Sequence, residues 1–212
     1  WITEQTISRI KAMYRHVMPS FLGAGASNLW TMINHKQANI HDALMADDDS
    51  LATLLANPGN TYLYYGVDNI YPESMAGSRD SAKALDKKIA SLLVVLADAV
   101  GATRYWNPAG GALFKNREPK QVQTTDEIMS SIEEVIGVRL HFASPFPDEI
   151  GLMTSRGRVT FRAVQALYQA YRMKTAAMKS DVRCMEIGGG SGRTAYFAHM
   201  LGMADYTLVD LP

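Results

Sequence analysis

The chain has 212 residues, 47% hydrophobic and 20% charged, with 21 basic and 21 acidic side chains and a formal net charge of zero. Those values suit a globular protein of one large or two small domains, and a neutral chain carries no global field toward nucleic acid or an anionic membrane. A single cysteine excludes an intrachain disulfide and a cysteine-built metal site, and points to a reducing cytoplasm.

Residues 3–18 predict a helix. Ile7, Ile10, Tyr14 and Val17 recur at helical spacing, Thr3 or Thr6 can cap it, and Pro19 can stop it. A second helix is expected from Ser27, carrying Leu29, Trp30, Ile33, Ile40 and Leu44 and ending at Asp47-Asp48-Asp49. No ligand spacing follows these three carboxylates, so they read as a solvated turn and not as a metal site. A short helix over 50–56 stops at Asn57-Pro58-Gly59. The aromatic segment 62–68 reads as core, with stacking on a sugar face as the alternative.

Residues 80–100 give the clearest helix of the first half. Ala84, Leu85, Ile89, Leu92, Leu93 and Leu96 form one stripe, and Gly101 ends it. Its apolar run 89–100, broken by Ser91 and Asp98, is too short to span a bilayer. After a loop at 105–111, Thr125 is expected to cap a helix that runs through Ile136 and stops at Gly137. Ile128, Ile132, Val135 and Ile136 would be its buried face. Residues 138–142 alternate weakly, as a short strand does, and Pro145 and Pro147 mark a boundary. Residues 158–178 predict a long helix with Val164, Leu167, Tyr168 and Tyr171 on one face, lying against a sheet.

The last stretch organises the rest. Residues 182–187 have apolar side chains at Val182, Cys184, Met185 and Ile187, the pattern of a strand buried on both faces of a parallel sheet. Cys184 therefore reads as a small buried hydrophobe and not as a nucleophile. Gly188-Gly189-Gly190-Ser191-Gly192 is a turn, residues 194–201 suit a helix, and Gly202 suits its C-cap. Tyr206-Thr207-Leu208-Val209 is a second strand, closed by Asp210. The whole is a βαβ unit. A ten-residue helix rises about 15 Å and a five-residue strand about 16 Å, so the crossover can return the chain to a parallel neighbour. An acidic residue about twenty positions beyond such a turn, at the tip of the second strand, is where a nucleoside ribose is gripped.

The dinucleotide fingerprint wants glycine at its first, third and sixth positions. Counted from Gly188 the sixth position is Arg193, and counted from Gly189 the third is Ser191, so neither register works. A phosphate loop is absent too, because no Gly-Lys-Ser/Thr follows. What remains is Glu186-x-Gly188-x-Gly190-x-Gly192, which resembles motif I of class I S-adenosylmethionine-dependent methyltransferases. Residues 185–193, the ending Val209-Asp210-Leu211-Pro212, and Thr154-Ser155-Arg156-Gly157 running into Arg162-Ala163-Val164-Gln165-Ala166-Leu167-Tyr168 are similar to the bacterial sugar O-methyltransferase family. The resemblance covers roughly the last third of the chain.

The resemblance implies an α/β protein: a mainly helical region, 1–150, then the first βαβ unit of a Rossmann-like sheet, 151–212. It implies S-adenosylmethionine as cofactor, held by Glu186, Gly188, Gly189, Gly190, Ser191, Gly192, Asp210 and Leu211. In that reading the glycine turn takes the methionine carboxylate and Asp210 takes the ribose hydroxyls. Leu211 begins the adenine shelf, and Glu186 orders the turn or reaches the cofactor through water. The partner is a small-molecule hydroxyl acceptor, by the resemblance a sugar, with no nucleic acid, no membrane and no metal. Association into a homo-oligomer is a further expectation. The alternatives are a methyltransferase for a non-sugar small molecule and a non-catalytic binding or scaffold protein that retains the cofactor fold.

No catalytic residue is assigned. His16, His35, His41, His141 and His199 stand in no motif that marks a base. The base and the remaining strands are expected beyond Pro212, because a doubly wound sheet needs more than two strands. Arg156 is a candidate for the cofactor or an anionic acceptor, and equally for a surface ion pair.

Overall fold

The structure is a computed structural model that describes residues 2–22, 38–56, 79–103, 123–145, 149–177 and 183–210. Several expectations lie outside these residues: the start of the second helix with Leu29, Trp30 and Ile33, the turn at Asn57-Pro58-Gly59, segments 62–68 and 105–111, and Val182 and Leu211. The described residues form a mixed α/β protein, mostly helical, with two small two-stranded sheets. Packing divides the chain into two units: residues 1–72 with 145–149 and 210–212, and residues 73–144 with 150–209.

In the first unit, Thr3 Oγ1 accepts the Thr6 N–H at 3.1 Å and starts helix α1 (Glu4–Leu22). The helix continues past Pro19. A proline removes one interior hydrogen bond and bends a helix without having to end it. Helices α2 (Ala38–Met45) and α3 (Asp48–Ala56) close a small core of Ile7, Ile40, Leu44 and Leu51.

All three aspartates are exposed, as expected, but Asp48 and Asp49 open α3 and do not form a turn. Asp47 Oδ1 accepts the Ser50 N–H at 2.8 Å and caps α3. Asp48 pairs with Lys11 at 2.6 Å, and Lys11 also donates to the Ala46 carbonyl at 2.8 Å. One buried cation thereby meets the end of α2 and the first turn of α3, where helix dipoles favour a positive and a negative charge respectively. Among the described residues no group of three or more His, Cys, Asp or Glu could hold a metal ion.

The second unit begins with α4 (Arg79–Ala99), whose buried stripe Ile89, Leu93, Leu96 and Ala97 follows the expected spacing. Helix α5 (Thr125–Ile136) is capped by Thr124, one residue earlier than expected. Thr124 and Glu127 form a reciprocal capping box, which Thr125 has no partner to make. Gly137 ends the helix at φ 77°. Val135 is 44% exposed, and Met129 is fully buried in its place. The apolar arc centres on Ile132, and Val135 falls at its rim.

Residues 138–142 make no strand beyond a single bridge from Phe142 to Gly157. The chain then forms a hairpin that the sequence reading misses: β1 (Leu152–Thr154) antiparallel to β2 (Gly157–Val159). Helix α6 (Phe161–Ala176) therefore starts later than position 158, with Thr160 as N-cap. It packs against α4 and α7 (Arg193–Met200). The closing unit is β3 (Cys184–Ile187), α7 and β4 (Tyr206–Val209), with the strands parallel and Ile187 opposite Val209. Helices α4 to α7 share one core with Phe142 and Val159. No helix among the described residues is long and apolar enough to cross a membrane.

Candidate functional site

The glycine turn joins β3 to α7. Gly188, Gly190 and Gly192 adopt φ of 75°, 53° and 72°, a region that L side chains rarely adopt. The Gly188 N–H donates to the Val209 carbonyl at 2.8 Å, which ties the start of the turn to the end of β4. The Gly192 N–H donates to the Gly189 carbonyl at 2.9 Å, and Gly192 is the N-cap of α7. Ser191 is half-buried within the turn.

The glycines have different surroundings. A Cβ built on Gly188 meets nothing within 4 Å, so the chain there faces open space. A Cβ on Gly189 would lie 2.5 Å from Leu208 Cδ1 and 2.6 Å from its Cγ. Leu208 thus takes the room that the missing side chain leaves. Gly189 serves packing within the protein, and Gly188 is the position that a ligand could approach.

Partnered positions of a parallel pair share a face. Cys184, Glu186, Tyr206 and Leu208 therefore share one face, on which Cys184 and Tyr206 pack against the core, and Met185, Ile187, Thr207 and Val209 lie on the other. This corrects the expectation of a strand buried on both faces: Met185 is 69% and Ile187 83% exposed. Only the face of Cys184 and Tyr206 has cover among the described residues. The Cys184 thiol sits on that covered side, 3.9 Å from the Met203 sulfur, and is half-buried.

Glu186 is half-buried and accepts the Tyr206 hydroxyl at 2.9 Å. Burial, with the Glu186 carboxylate beside it, holds the Tyr206 phenol well above its ordinary value, so it stays a donor. The acidic residue of the motif thus has a partner on the neighbouring strand that sequence spacing did not announce. Asp210 follows Val209 directly and is exposed.

Arg156 reaches α5. Its guanidinium meets Glu133 at 3.2 Å (Nε) and 3.0 Å (Nη2), Asp126 at 3.2 Å and Ser130 at 2.8 Å. Of its two readings, the ion pair is the one present: it clips the hairpin to α5. His35 lies outside the described residues; His16, His41, His141 and His199 are all exposed, and His141 and His41 each pair with a tyrosine hydroxyl at 2.7 Å. The partner of His141 is Tyr196 on α7. No family model matches the chain, and no curated protein and no solved structure matches it.

Proposed function

We propose that the protein is an S-adenosylmethionine-dependent O-methyltransferase acting on a hydroxyl of a small molecule, a sugar by the family resemblance. The observation that carries this reading is the turn between parallel β3 and α7, where Gly188, Gly190 and Gly192 all stand at positive φ. The spacing Glu186-x-Gly188-x-Gly190-x-Gly192 is the pattern that suggested the cofactor class, and the open side at Gly188 fits a ligand lying against bare backbone.

In this reading α7 presents its N-terminal end to the cofactor's carboxylate, as helix starts do for anions. Glu186, steadied by Tyr206, orders the strand just before the turn. Asp210, by its sequence position after β4, accepts the ribose hydroxyls through charge-assisted hydrogen bonds. Leu211, outside the described residues, begins the adenine shelf. The cofactor supplies an activated methyl group, and the protein's work is to orient the acceptor hydroxyl in line with it.

Titration calorimetry with S-adenosylmethionine and its demethylated product tests the cofactor. Binding in the micromolar range, about −8 kcal/mol, is expected. Asp210→Ala should weaken it by about 1.5–3 kcal/mol, and Gly190→Val should do at least as much damage. Absence of heat with both ligands would sink the assignment. Transfer of an isotopic methyl group then separates an enzyme from a binding protein.

A further inference from the structure

Tyr196 stands one turn along α7 from the glycine turn, its N–H donating to the Gly192 carbonyl at 2.9 Å. A helical side chain leans toward the start of its own helix and covers the turn before it. The Tyr196 ring therefore runs beside the first turn of α7. Its hydroxyl ends at His141, 2.7 Å from Nδ1 and 3.2 Å from the His141 carbonyl oxygen.

One phenolic proton faces two neighbours. A carbonyl oxygen only accepts, so the hydroxyl donates to it. With the hydroxyl on the carbonyl, both contacts are made together only when Nδ1 carries a hydrogen and donates it to the phenol oxygen. The reverse arrangement, hydroxyl to Nδ1, leaves the carbonyl contact unmade. Burial raises the Tyr196 phenol above its ordinary value and keeps its proton in place. A neutral imidazole with its hydrogen on Nδ1 carries its lone pair on Nε2. Among the described residues Nε2 makes no hydrogen bond, and His141 is exposed.

The ring is also anchored. The next residue, Phe142, is buried, its ring meets Phe197 edge-on at 5.6 Å, and its N–H donates to the Arg156 carbonyl at 2.7 Å. Among the described residues the similar pair Tyr14–His41 makes no such carbonyl contact.

We propose that His141 Nε2 is the proton acceptor for the substrate hydroxyl, with Tyr196 as its positioning residue; this rests on the methyl-transfer reading above. In the step, the hydroxyl oxygen forms a bond to the methyl carbon as the carbon–sulfur bond breaks and its electron pair stays on sulfur. The hydroxyl proton passes to Nε2, and the imidazolium returns it to water.

Long-range proton–nitrogen NMR of the ¹⁵N-labelled protein tests this. His141 should show hydrogen on Nδ1 and a bare Nε2, and Tyr196→Phe should abolish that preference. Saturating S-adenosylhomocysteine should shift both the His141 ring signals and the amides of Gly188 and Gly190. Turn amides that move while His141 stays still would overturn the role of His141 alone. If neither moves, the cofactor reading fails and takes the proposal with it. With free hexoses as acceptors, His141→Gln should lower methyl transfer by about 100-fold or more, with cofactor affinity within about twofold. A variant as fast as wild type, or hydrogen found on Nε2, rules the assignment out.

Discussion

Leu208 Cδ1 sits where the Cβ of any larger residue at position 189 would have to go, 2.5 Å from that point. Two neighbouring glycines are thus required for different reasons. Gly188 is held at φ 75° with open space beside it, while Gly189 is confined by a neighbour.

The two requirements separate by experiment. Gly189→Ala should destabilise by about 1–3 kcal/mol through overpacking, and Leu208→Ala should recover most of that loss in the double variant. Gly188→Ala should cost about 1–2 kcal/mol through its left-handed backbone, with no rescue from Leu208→Ala. Equal rescue of both variants in denaturant titrations would show that position 189 is not sterically limited by Leu208.

Glu133 gives a pH signature. Two hydrogen bonds from Arg156, and a further one from the Leu140 N–H, hold its carboxyl below the ordinary value. A depressed carboxyl contributes stability that is present above its unfolded value, about 4.3, and lost as pH falls through the folded one. Glu133→Gln should cost about 1.5–3 kcal/mol at neutral pH, and the gap to wild type should close below about pH 4. Unfolding curves at pH 7, 5 and 3 that keep a constant gap would contradict the pairing.

The Lys11–Asp48 bridge predicts an asymmetry. The Lys11 side chain is 6% exposed and that of Asp48 58%. Lys11→Met leaves a carboxylate that water can solvate, and should cost about 1–2 kcal/mol. Asp48→Asn leaves the buried ammonium with only the Ala46 carbonyl and the nearby Asp47 carboxylate to stabilise it, and should cost more although the same bridge is lost. Thermal melts in which Lys11→Met is the worse variant would refute this account.

Thr124 and Thr125 differ in the same testable way. Only Thr124 exchanges hydrogen bonds with Glu127, at 3.3 Å to the Glu127 N–H and 2.7 Å from its own N–H to the carboxylate. Thr124→Ala should lower the melting temperature, and Thr125→Ala should leave it nearly unchanged. The opposite order would move the cap back to Thr125.

Helices were legible where a wide apolar stripe coincided with end signals, as in α4 and in α5 with Gly137. The βαβ unit was legible because glycine runs, a strand and an acidic residue fall at fixed offsets. The hairpin was not: its strands have three residues each, too short for alternation to show, and its turn is fixed by Arg156 reaching α5. Cover on the second face of β3 was misread because apolar side chains at Met185 and Ile187 state a demand for burial and not its fulfilment. The pairs Glu186–Tyr206 and His141–Tyr196 join residues twenty or more positions apart, which single-sequence patterns do not connect.

Arg156 makes one more contact whose reach exceeds its side chain: its carbonyl accepts the Phe142 N–H. Backbone and guanidinium of one residue thus tie the extended segment before the hairpin, the hairpin and α5 into a single opening unit. Amide hydrogen exchange at Phe142 should therefore follow the slow core protons of Ile132 and Leu167 and not the fast ones of a surface loop. The segment that carries His141 owes its order to a residue whose side chain is spent on α5.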